Sequence, residues 1–85
     1  MTSIILFKTS MCPACRQIEA MCEGKRTIEK IYIDTPDGLA DATAEYQMFE
    51  RQAPALMIDG VLHPASEITD NGVLKEQHVK DLLRI

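Results

Sequence analysis

Glycine and proline are scarce in this 85-residue chain, four of each. Such scarcity excludes a low-complexity or Pro/Gly-rich disordered segment, and no internal repeat breaks the chain into units. No cluster of Lys and Arg occurs, and the formal charge is −4. A phosphate backbone or an anionic membrane surface is therefore not the expected partner. Long apolar runs are missing too. Met1-Thr2-Ser3 leads directly into Ile-Ile-Leu-Phe, which is too short for a signal-peptide core or a membrane span and has no basic residue before it. A cytoplasmic location is expected, with no nucleic acid and no membrane as partner. Cysteine is limited to three residues, an odd number that a disulfide framework does not favour. What is present is the composition of an ordinary globule, 46% hydrophobic and 26% charged. Residues 1–85 fit a single domain, and at this length only roughly 60–65% of the unfolded surface is hidden on folding.

The order of elements follows from periodicity. Ile4 to Phe7 is a short continuous apolar run bounded by Lys8-Thr9-Ser10, the pattern of a strand buried on both faces. Pro13 suits the first helical position. Cys15, Ile18 and Cys22 then recur at i, i+3 and i+7 as an inward stripe, and Gly24 closes the helix. The segment TIEKIYID reads as a second strand, closed by the turn residues Thr35-Pro36-Asp37-Gly38. From Leu39 to about Arg51 the pattern is helical, with Leu39, Ala42, Tyr46 and Phe49 as an expected core stripe. Two apolar runs then flank Asp59-Gly60, a hairpin signal because its tight turn needs positive φ. Pro64 stops the second run, and residues 65–72 are turn-rich, with room for a short helix. Leu74, His78 and Leu82, with Val79 and Leu83 beside them, predict a last amphipathic helix with Lys80 and Arg84 near its end. The expected fold class is α/β, ordered β-α-β-α-β-β-α. Its first two strands are parallel, its last two form a hairpin, and helices lie on both faces of a four-stranded mixed sheet.

Chemistry concentrates in TSMCPACRQ, residues 9–17. Cys12 follows a buried strand and directly precedes a helix. The unpaired N–H groups and positive end of that helix favour thiolate over thiol, and such placement lowers a cysteine pKa from about 8.5 to roughly 3.5–7.5. Lys8 and Arg16 are candidate contributors to the same stabilisation, although each also reads as a solvated charge. With Cys15 one turn later, Cys12 can attack a disulfide and Cys15 can resolve the mixed disulfide. Other readings stay open at this level. Zinc normally needs four ligands, and only Cys22, His63 and His78 are left to complete a set. An iron–sulfur cluster shared across a dimer and an inert buried pair are further alternatives.

The stretch ILFKTSMCPACRQIEAM resembles the strand–CPxC–helix opening of glutaredoxins, and QAPALMIDG is similar to the family's segment with a cis proline before a hairpin. The chain thus resembles a small glutaredoxin- or thioredoxin-like protein of the thioredoxin superfamily over nearly its whole length. The resemblance implies a cis Ala53-Pro54 bond beside the cysteine pair, with the backbone at Ala53 pairing with an extended substrate and Pro54 as a wall. Departures fall at Thr9, where glutaredoxins carry lysine, at Gln52, where threonine is usual, and at Met11, where thioredoxins carry tryptophan. The Gly-Gly and downstream Asp that hold glutathione in the family have no match in HPASEITDNG, so no glutathione pocket is assigned. Glutaredoxin-like electron donors recharged by thioredoxin reductase are a further likeness.

The expected activity is dithiol exchange through Cys12 (nucleophile) and Cys15 (resolver) on protein or small-molecule disulfides, with no bound cofactor or metal. Glutathione or a thioredoxin-reductase-type donor would recharge the pair, and a monomer is expected. Met11, Pro13, Gln52, Ala53 and Pro54 are the candidate substrate contacts. The alternative is a non-catalytic binding module whose disulfide acts as a redox-sensitive latch. Cys22 reads as a core thiol, and Asp34 as turn chemistry.

Overall fold

All five residues of the first strand, β1 (Ile4–Lys8), are buried, as a strand covered on both faces requires. The computed structural model describes residues 3–49 and 51–85. Along it follow α1 (Pro13–Cys22), β2 (Glu29–Tyr32), α2 (Pro36–Tyr46), β3 (Ala55–Ile58) and β4 (Val61–His63). The short α3 (Ala65–Ile68), β5 (Thr69–Asp70), β6 (Val73–Leu74) and α4 (Glu76–Leu83) complete the chain. The four-stranded sheet has the order β2-β1-β3-β4. β1 pairs parallel with β2, Ile5 opposite Glu29, and antiparallel with β3, Phe7 opposite Ala55.

Strand alternation divides the core in two. Ile4 and Leu6 of β1 and Leu56 of β3 pack on one face with Cys12, Cys15, Ile18 and Cys22 of the α1 region and with Val79 and Leu83 of α4. Ile5, Phe7, Ala55 and Met57 face the other way, against Ala42 of α2 and Met48. Helices therefore cover both sheet faces, as the element order predicts. Asp59 and Gly60 both have positive φ, 50° and 83°, at the tip of the β3–β4 hairpin, as that turn demands.

Four expectations are corrected. The Thr35-Pro36-Asp37-Gly38 turn is the start of α2: Thr35 Oγ1 accepts the Gly38 N–H at 3.1 Å, with Pro36 in the first helical turn. The helix also ends earlier than Arg51, at Tyr46, capped by left-handed Gln47 at φ 54°. Past that cap the chain turns Met48 inward and leaves Phe49 72% exposed, so Phe49 is not core. Leu74 belongs to β6 and not to the last helix, which begins at Glu76 and leaves His78 exposed. Glu50, inside the expected helical span, and the Met1-Thr2 start lie outside the described residues. Residues 65–72, open in the sequence, hold α3 and most of the β5–β6 hairpin. One Glu67 oxygen accepts from both His63 (2.6 Å) and His78 (3.1 Å), joining the end of β4 to α3 and α4. Burial alone would raise the Glu67 pKa, but these two partners hold it below the usual carboxylate range.

Candidate active site

Three loops meet at one end of the sheet. The first leaves β1 through Thr9, Ser10 and Met11 and delivers Cys12 as the N-cap of α1, with Pro13 in the first helical position. An N-cap side chain normally supplies an oxygen to an orphan N–H of the first turn. Here the acceptor is sulfur: the Cys15 N–H donates to Cys12 Sγ at 3.1 Å. The helix N-terminus thus points an N–H directly at Cys12, the arrangement that favours negative charge on that sulfur. Cys12 and Cys15 form a disulfide with Cα atoms 5.2 Å apart. Cys15 is fully buried and Cys12 keeps 7% of its surface, so the first cysteine is the more accessible of the two.

The second loop brings Ala53-Pro54, whose peptide bond is cis. The third is the β5–β6 turn. Together they enclose a cleft of about 200 Å³, lined by Thr9, Met11, Cys12 and Pro13 from the first loop, Ala53 and Pro54 from the second, and Thr69 and Gly72 from the third. Met11 stands at its edge, 85% exposed. Two larger grooves, of about 560 and 470 Å³, run along α1, and neither is lined by Cys12 or Cys15.

This architecture is similar to the solved structure of a mutant of the thioredoxin-like protein BC3987, with a TM-score of 0.68 over 100% of this chain and 99% of that one. Sequence identity between the two is 16%, a level that speaks to fold alone. The fold is thioredoxin-like. No protein-family model and no curated protein matches the sequence.

Around the cysteine end of this thioredoxin-like fold, the remaining candidate residues separate. Ala53 and Pro54 join the cleft with Met11 and Pro13, while Gln52 is exposed and does not line it. Arg16 is exposed and lines the larger groove on α1 beside Glu19 and Glu23. Lys8 is buried, its ammonium bound by the Glu19 carboxylate and 5.1 Å from the centre of the Tyr32 ring. The Glu19 hydrogen bond and charge raise the Lys8 pKa against the opposing effect of burial. Among the described residues no three His, Cys, Asp or Glu side chains are gathered to hold a metal ion. Cys22 is buried with a thiol pushed up by burial.

Sequence reasoning missed two contributors. Thr69 and Gly72 form the third wall, and the Asn71-Gly72 dipeptide carries the hairpin signal that locates them: both residues have positive φ, 51° and 81°. Asp34 does more than close a turn. Its Oδ2 accepts from the Ser10 N–H (2.9 Å) and the Ser10 hydroxyl (2.7 Å), which ties the loop that carries Cys12 to the end of β2.

Proposed function

We propose that the protein is a thiol–disulfide oxidoreductase that reduces protein or small-molecule disulfides through Cys12 and Cys15. One observation carries the reading: Cys12 caps α1 through its sulfur, is bonded to Cys15 and borders a cleft that cis Pro54 also lines. In the reduced protein the Cys12 thiolate attacks one sulfur of a substrate disulfide, and the other sulfur leaves as a thiol after taking a proton. Cys15 then gives up its proton and attacks Cys12 Sγ. The mixed disulfide breaks, the second substrate thiol is released, and the Cys12–Cys15 bond carries the two electrons' worth of oxidation. Met11 and the backbone at Ala53 are the groups a bound substrate would meet first, both lying on the cleft.

Two thiols, or a flavoprotein reductase, must return two electrons and two protons. The sequence lacks the residues that hold glutathione in glutaredoxins, which favours a thioredoxin-reductase-type donor over glutathione, with the protein acting as a monomeric carrier in the reducing cytoplasm.

Turnover of insulin or a small aromatic disulfide tests the reading. Cys12→Ser should abolish it, while Cys15→Ser should accumulate a mixed disulfide visible by mass spectrometry. Full activity in Cys12→Ser defeats the proposal. The low exposure of Cys12, 7%, favours one competitor, a latch whose disulfide governs binding of a partner without turnover. Redox-dependent binding with no turnover of either disulfide would establish it.

A further inference from the structure

Among the described residues Lys8 is the one buried charged side chain. Strand alternation places it on the same face of β1 as Leu6, and Leu6 packs in the cluster that contains Cys12 and Cys15. Its ammonium is bound by Glu19. Glu19 stands four residues after Cys15 on α1, and residues so spaced are neighbours on one helix surface, with Cβ atoms roughly 5–6 Å apart. A positive and a negative charge thus sit together, partly screened from water, with Glu19 one helical turn from Cys15. Either charge alone would act on the sulfur chemistry. An ammonium near a cysteine favours thiolate, and a carboxylate opposes it.

We propose that Glu19 is a positioning residue that holds the Lys8 ammonium and cancels its field at the cysteine pair, so that the balance of this ion pair sets the dithiol–disulfide equilibrium. The proposal rests on the reading that Cys12 and Cys15 cycle between disulfide and dithiol. Lys8 by itself would push the protein towards the dithiol by stabilising its thiolate form, and Glu19 removes that bias. A purely structural ion pair would behave differently. Breaking it from either side would loosen α1 from β1, and the two losses would act in the same direction.

Equilibration with a glutathione buffer reads the balance. Two glutathione thiols reduce the Cys12–Cys15 disulfide, giving one glutathione disulfide and the protein dithiol; a proton goes to solvent where Cys12 is a thiolate. Glu19→Gln should shift the equilibrium constant about tenfold towards dithiol, a potential about 30 mV higher for a two-electron couple, and lower the Cys12 thiol pKa in a pH titration of alkylation rate. Lys8→Met should move both quantities the other way. The double variant Lys8→Met/Glu19→Gln should return to within about twofold of the wild-type constant, and Lys8→Arg should keep it. Should Lys8→Met fail to fold, comparing Glu19→Gln with the double variant reads the same coupling. Shifts of one sign in both single variants, or unchanged constants with only a lower Tm, overturn the proposal. Disulfide turnover measured on the same samples separates the two ideas. Opposite shifts without turnover support the charge balance and defeat the oxidoreductase reading alone. Turnover without opposite shifts defeats the charge balance alone.

Discussion

Asp34 shows how one exposed side chain can hold the loop that carries Cys12. Its carboxylate accepts two hydrogen bonds from Ser10, and these, the hydroxyl first and the backbone N–H second, hold its pKa below the ordinary carboxylate value. A carboxyl with a depressed folded-state pKa stabilises the fold fully above its unfolded value of about 3.9. That stabilisation is lost as pH falls through the folded value. Urea denaturation of wild type and Asp34→Ala should therefore show the wild type more stable at pH 6, with the difference shrinking below about pH 4. A gap that stays constant across that range would mean that Ser10 is held by something else. The two site cysteines were legible because helix-start chemistry is local. Asp34 was not, since a pairing across 24 residues leaves no local pattern.

At the scale of elements, boundaries were harder to read than identities. Thr35-Pro36-Asp37-Gly38 has the composition of a turn, yet Thr, Pro and Asp are also the residues of a helix start, and the outcome depends on what the chain meets next. It meets the end of β2. A Cβ on Gly38 would overlap the Tyr32 carbonyl and crowd Thr35 Oγ1, so α2 approaches the strand as closely as it does only because residue 38 has no side chain. Gly38→Ala should cost about 1–3 kcal/mol through displaced backbone, and differential scanning calorimetry should record a Tm lower by roughly 5–20 °C. An unchanged Tm would show that α2 can slide without penalty. The same element accounts for Phe49. Helical spacing carried the inward stripe one turn too far, because the left-handed cap at Gln47 has no strong marker in the sequence.

For the whole molecule, the sheet was legible because its central strand is a continuous apolar run, and because Asp59-Gly60 marks its hairpin. The third wall of the cleft carries only its Asn71-Gly72 turn as a signal, since the two-residue strands beside it have almost no periodicity. The topology also has a bearing on synthesis. β1 takes its antiparallel partner from residues 55–58, and the cover over Cys15 and Cys22 includes Ile68, Leu74, Val79 and Leu83. All three thiols leave the ribosome well before the residues that bury them. During that interval Cys22, inaccessible in the finished fold, is as open to oxidation as its neighbours. A chain ended after Ile58 should therefore take up three equivalents of a thiol reagent under reducing conditions, whereas the intact native protein should leave Cys22 unmodified. A reducing compartment would then protect more than the finished redox pair. It would also keep a nascent chain from joining the wrong two sulfurs before its last third arrives.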